Sequence, residues 1–159
     1  MLKIDIFNLF SRDEKIIFSR FVDPLGNFEI FHHKTWKYDE DIAVVDGKYL
    51  ISFESKDARF VVSVDASLAS DFNFDAYAKE EIDSPTSGIH ASVKKRSFRN
   101  MPAYEREYLY ESAGKNYFGG GLIFFTGTLV ISLSWTAPEK QKEKYESIFR
   151  HMIEKLHVR

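Results

Sequence analysis

Between Leu122 and Leu156 the hydrophobic period of the chain changes once, and that change restricts the possible folds more than any other feature. Leu129, Ile131, Leu133 and Trp135 alternate with Thr128, Val130, Ser132 and Ser134, the period of a strand with one apolar face. After Thr136-Ala137-Pro138 the apolar positions become Tyr145, Ile148, Phe149, Met152, Ile153 and Leu156, a single stripe at helical spacing. Such a stripe needs an apolar surface to lie on, and the strands before it can supply one. The pattern predicts an α+β chain: an antiparallel β-sheet of about six strands sandwiched by helices, with a long C-terminal amphipathic helix on one face.

The upstream residues read as the rest of that sheet. Leu2, Ile4 and Ile6 alternate with charges as a first strand, and Ser11 to Glu14 is a turn. Lys15 to Val22 and Phe28 to His32 are strands separated by Asp23-Pro24-Leu25-Gly26-Asn27, where proline presets its own backbone and glycine accepts a positive φ. Ile42 to Val45 and Tyr49 to Glu54 read as a hairpin turned at Asp46-Gly47. Arg59 to Ala66, Ile89 to Phe98, Met101 to Tyr110 and Asn116 to Phe125 complete the strands. Asp71 to Ile82 is the second helix, with Phe74, Tyr77, Ala78 and Ile82 on one face and Asp71 or Asn73 as its cap. Ser84 to Gly88 is a surface loop, not a boundary, and 159 residues without a repeat predict one domain over 1–159.

Composition narrows the chemistry. No cysteine is present, which removes disulfides, thiolate metal sites and cysteine nucleophiles and fits a cytoplasmic chain. The N-terminus alternates apolar and charged residues instead of forming a basic head and an apolar run, so the expectation is no signal peptide and no membrane span. A net charge of -2 offers no overall basic field for nucleic acid.

Four groups of residues could carry chemistry. His32-His33, with His90, His151 and His157, could ligate a metal or be solvated surface histidines; adjacent strand residues face opposite ways, which argues against the first pair as joint ligands. Gly119-Gly120-Gly121 could cradle phosphate, but it leads into a strand and lacks the following Gly-Lys-Ser/Thr, so a bulge or a kinked strand where another backbone comes close is the alternative. Asp65, Asp71, Asp75, Glu105 and Glu107 supply carboxylates, and Ser132 and Ser134 hydroxyls, yet nothing in the spacing joins them into an acid/base or nucleophilic set. Lys94, Lys95, Arg96 and Arg99 precede a strand bearing Tyr104, Arg106, Tyr108 and Tyr110 on one face. If these segments pair, cations and flat rings share a surface suited to an acidic protein or single-stranded nucleic acid. The alternative is an edge strand kept soluble by its charges.

Phe28-Glu-Ile-Phe-His-His-Lys-Thr-Trp36 resembles the opening signature of the PsbP-like superfamily. The likeness continues through Phe53, Arg59 to Ala66, Tyr77-Ala78, Asn100-Met-Pro-Ala-Tyr104, Ser134-Trp135-Thr136-Ala137-Pro138, and Tyr145 with Phe149. His33 stands where that family usually has proline, and Asn100 where it usually has glycine. The superfamily includes the extrinsic oxygen-evolving protein of photosystem II, the Ran-binding Mog proteins, DcrB-like proteins and chaperones of type VI secretion effectors. The resemblance implies a sheet between helices and a task of binding protein, without catalysis or cofactor.

The resulting expectation is a non-enzymatic, chaperone-like protein-binding module with no catalytic, metal or cofactor residues. Its partner surface is expected at Trp36, Lys94, Lys95, Arg96, Arg99, Tyr104, Arg106, Tyr108 and Tyr110, since Tyr, Trp and Arg carry most interface energy. The partner is another protein, with a second copy of the chain left open. A small-ligand binder or enzyme with a pocket on the sheet is the alternative, and single-stranded nucleic-acid binding through Lys94 to Arg99 a third.

Overall fold

The computed structural model describes residues 17–82 and 90–159. In chain order the described elements are β1 (Phe18–Val22), β2 (Phe28–His33), β3 (Lys48–Glu54), β4 (Arg59–Asp65), α1 (Phe74–Ile82), β5 (His90–Phe98), β6 (Met101–Ser112), β7 (Lys115–Phe125), β8 (Val130–Pro138), α2 (Lys142–Glu154) and β9 (His157–Val158). A 3₁₀ turn, Glu139–Gln141, leads into α2. The strand expected at Leu2 to Ile6, the turn at Ser11 to Glu14 and the loop at Ser84 to Gly88 lie outside the described residues.

The chain is mixed α+β with two antiparallel sheets, and the larger has six strands in the order β3-β4-β8-β7-β6-β5. Its register carries side chains of one kind straight across. Ile51, Val62, Leu133 and Leu122 are successive cross-strand partners, as are Tyr49, Val64, Ile131, Phe124 and Ala103, and all are buried. Each large apolar side chain taken fully out of water contributes about 1.5–3 kcal/mol, so this face accounts for much of the sheet's stability. The opposite face carries Ser52, Val61, Ser134, Gly121 and Arg106 in one row. It becomes apolar only at one end, where Phe74 and Ala78 of α1 pack with Ile123, Val130, Tyr104 and Phe125. Asn73 caps α1 by accepting the N–H of Ala76, and the Tyr77 hydroxyl donates to Asp65, fixing the helix to the end of β4.

The chain divides into two compact units, one holding the residues up to Trp36 with Glu143–Arg159, the other Lys37–Lys142. The first unit contains a three-stranded sheet, β1-β2-β9, that the hydrophobic pattern does not announce. Its β1–β2 turn is held by Asp23, whose two carboxylate oxygens accept the N–H groups of Leu25 and Asn27, with Gly26 at φ 80. After α2 the chain returns to pair Val158 with Phe28, and Arg159 donates its backbone N–H to Asn27. The expected stripe of α2 is present: Tyr145, Ile148, Phe149 and Met152 are buried.

Two expectations need correction. The Asp46-Gly47 turn exists, with both residues at positive φ, but its first arm is a single bridge, Val45 to Lys48. Val44 and Val45 stay half or more exposed, so the run Ile42 to Val45 buries nothing that would reward a full strand. The glycine triplet is neither a bulge nor a kink: Gly119, Gly120 and Gly121 each pair with residues of β6 and β8 in unbroken register.

Candidate functional site

The basic segment and the tyrosine-bearing strand do pair. In the β5–β6 register Lys95 faces Tyr104, Val93 faces Arg106, Lys94 faces Glu105 and Arg96 faces Ala103. Alternation places Tyr104, Arg106, Tyr108 and Tyr110 on the sheet's polar face together with Lys95, while Lys94 and Arg96 project from the other face. The cations are thus divided between the faces of an edge strand on which every residue from Ser92 to Ser97 is exposed. Arg99 occupies the tight turn between the strands, where it and Asn100 take positive φ, and its guanidinium lies 4.9 Å from the Phe98 ring centre.

The polar face is organised by hydrogen bonds from its rings. Tyr104 donates to Asp75 at 2.6 Å, and Lys95 reaches the same oxygen at 3.1 Å while standing 5.7 Å over the Tyr104 ring. The Tyr104 hydrogen bond, then Lys95, holds the Asp75 carboxyl below its usual range, and Asp75 in turn raises both Tyr104 and Lys95. Tyr108 lies across Gly119, where a Cβ would collide with its ring, and donates to the carbonyl of Trp135 at 3.1 Å. Burial pushes its phenol up. Tyr110 stacks on Tyr117 at 5.2 Å and shares a 2.8 Å hydrogen bond with the Thr136 hydroxyl. Arg106 lies 5.1 Å from the Tyr108 ring centre, with its buried Nε lacking a hydrogen-bond partner. On the opposite face Arg96 donates to Glu105 at 2.8 Å.

Trp36 belongs to the first unit, and the β5–β6 group to the second. It is 5% exposed and packs with His33, Tyr145 and Phe149 inside the first unit. Among the histidines whose side chains are described, His157 is exposed, His33 and His151 are half-buried and His32 is buried. His32 is 4% exposed, its Nδ1 lies 2.9 Å from the His33 carbonyl oxygen, and burial lowers its pKa. His33 accepts the N–H of Thr35, and His151 lies 3.9 Å from the Phe18 ring centre. Among the described residues no three of His, Asp or Glu gather in a way that could hold a metal ion. Gly119 and Gly120 make room for rings, Tyr108 covering Gly119 from one face and Trp135 covering Gly120 from the other, whereas a Cβ at Gly121 would meet only the Leu133 carbonyl oxygen at 3.3 Å.

One feature escaped the residue pattern. At the end of the six-stranded sheet an open depression of about 670 Å³ is lined by Lys56, Asp57, Lys115, Asn116, Tyr117, Pro138, Glu139 and Lys140, among others. These come from the β3–β4 turn, the β6–β7 turn and the stretch after β8, so no local spacing joins them; only the strand order does. No helix among the described residues is long and apolar enough to cross a membrane.

No protein-family model matches the chain, and no curated protein matches it by sequence. Solved structures do. The cyanobacterial PsbP protein CyanoP of Synechocystis is 14% identical, with a TM-score of 0.64 over 94% of this chain and 96% of that one. LpqN of Mycobacterium tuberculosis, described as involved in cell envelope biogenesis, is 10% identical, with a TM-score of 0.55 over 92% and 93%. The Ran-binding protein Mog1p of Saccharomyces cerevisiae is 8% identical, with a TM-score of 0.53 over 90% and 96%. At these identities the likeness is one of fold, and the fold of this chain is the PsbP-like fold.

Proposed function

We propose that this chain is a non-enzymatic, chaperone-like protein-binding module of the cytoplasm, working as one domain and docking its partner through β5, β6 and the turn between them. The observation that carries this reading is the β5–β6 register, which sets Lys95 beside Tyr104 on the face bearing Arg106, Tyr108 and Tyr110, with Lys94 and Arg96 on the other face of the same edge strand and Arg99 in the turn. Tyrosine on a rigid strand supplies contact area at low entropic cost, and arginine adds directed hydrogen bonds. Mog1p, which shares the fold, is a Ran-binding protein, and that supports a protein partner here. Trp36, buried in the first unit, contributes to this reading as packing and not as a contact.

The test is co-purification of the tagged full chain from its native cells, alongside the variants Lys94→Glu, Arg99→Glu and Tyr110→Ala. A partner retained in fixed ratio by the parent chain and lost with any of the three supports the reading. No retained partner, or one held equally by all three variants, overturns it. Retention that collapses with nuclease and falls steeply with salt would instead give the surface to single-stranded nucleic acid.

The depression at the sheet end favours a second reading, a small-ligand site, because five charged residues, Lys56, Asp57, Lys115, Glu139 and Lys140, line it. A ligand that protects the chain against heat and loses that effect with Lys115→Ala would move the function there.

A further inference from the structure

The two edges of the six-stranded sheet are finished differently. At β3 the chain returns to the edge twice, through the bridges Lys37 to Glu54 and Val45 to Lys48. Beside β5, the other edge, no strand or bridge lies among the described residues. This is a nine-residue strand with every side chain from Ser92 to Ser97 exposed, including Val93 at 47%. An unpaired edge offers a row of backbone donors and acceptors that an incoming strand can take up.

The charges of β5 decide which strand. Pairing with a second copy of the same edge, antiparallel and centred on Lys95, would set Lys95 against Lys95 and Lys94 against Arg96, and like charges opposite one another destabilise a ladder. An acidic strand meets the reverse situation. Lys94 has no ion pair among the described residues, and the pairs Lys95–Asp75 and Arg96–Glu105 are partly exposed, so they cost little to remake. Building on the proposed function, we infer that the edge of β5, uncovered among the described residues, accepts an extended acidic segment of a partner protein as a seventh, antiparallel strand. The register defines its pattern. Acidic residues stand opposite Arg96 and Lys94 on one face, and on the other a small polar residue stands opposite Lys95 and an apolar one opposite Val93.

The probe is the peptide Thr-Glu-Thr-Glu-Val-Thr, titrated against the full-length chain while the backbone amides of β5 are followed by NMR. Saturable shifts and slowed amide exchange between Ser92 and Ser97 are expected, with affinity reduced about tenfold or more in Lys94→Glu/Arg96→Glu. That variant should instead bind the peptide with lysine in place of both glutamates. Lys94→Gln/Arg96→Gln, which introduces no repulsion at Glu105, should show an intermediate loss. A strand presents only one of its edges, so N-methylation of alternate peptide residues in one set should abolish binding and in the other set leave it. Equal binding of both methylated peptides, or of a peptide with its two glutamates adjacent, would reduce the effect to plain ionic attraction and overturn the inference. The peptide is also used to compete with the co-purified partner. A partner that is lost with Tyr110→Ala but not displaced by the peptide removes the edge and leaves the docking reading standing. Peptide binding at β5 without any retained partner does the opposite.

Discussion

Gly120 shows how a single missing carbon sets the shape of the sheet. The three atoms nearest to a Cβ built there all belong to the Trp135 indole, whereas at Gly119 the backbone carbonyl of Trp135 is in the way as well as the Tyr108 ring. The two glycines therefore respond differently to repair. Gly120→Ala forces the indole off Gly120 and away from its stack on Phe60, at a cost of about 1–3 kcal/mol. With Trp135→Val as background the three closest atoms are gone, and the cost of the same alanine should fall sharply. A double-mutant cycle by urea denaturation measures this, and additive costs would show that the indole is not the obstacle. The sequence places Gly119 to Gly121 in a strand and so argues against a phosphate loop. It does not disclose which rings fill the gap, because Tyr108 and Trp135 reach it from neighbouring strands whose register is a tertiary fact.

Elements differ in legibility for the same reason. The helix α2 could be read because its stripe runs through several turns, and α1 because Asn73 caps an apolar face. The β5–β6 pair, and with it the sharing of one face by Lys95 and the tyrosines, follows from alternation plus a two-residue turn. The depression lined by Lys56, Lys115 and Lys140, and the three-stranded sheet, could not be read, since both depend on chain segments far apart in sequence. Strand β2 adds a property that the letters alone misstate: His32 shares the buried face of Phe28 and Ile30. Burial lowers its pKa from the ordinary 6.5, and burial followed by the charge of Lys155 lowers that of His151, with Glu154 opposing. In the unfolded chain both imidazoles titrate near 6.5, so as pH falls below that value the unfolded state takes up more protons than the native one. Stability is fully present above pH 6.5 and declines towards pH 5, with a limit of about 1.4 kcal/mol per pH unit for each proton. The lowered carboxyl groups Glu29, Asp65 and Asp75 act in the same direction mainly at lower pH, so the interval from pH 7 to about 5.5 reports chiefly on the histidines. Chemical denaturation across that interval should show the decline, and His32→Leu should flatten it. An unchanged slope in that variant would assign the effect elsewhere.

For the whole molecule, the decisive feature is that one unit is built from both ends of the chain. The residues up to Trp36 and those from Glu143 make short pieces with no cysteine to staple them, and sets this small do not ordinarily sustain a fold alone. The first unit should then unfold together with the second in one transition, which is the behaviour of a single domain over 1–159. The chain carries its own reporters for this: of its two tryptophans, Trp36 belongs to the first unit and Trp135 to the second. In Trp135→Phe the fluorescence follows only the surroundings of Trp36, and in Trp36→Phe only those of Trp135. Each substitution shifts stability in its own way, so within each variant the fluorescence midpoint is compared with that from far-ultraviolet circular dichroism, to which the helices and strands of both units contribute. Coincident midpoints in both variants are expected. A Trp36 signal that melts ahead of the circular dichroism would instead divide the chain into two independently stable parts, and the docking surface on β5 and β6 would then have to be sought in Lys37–Lys142 alone.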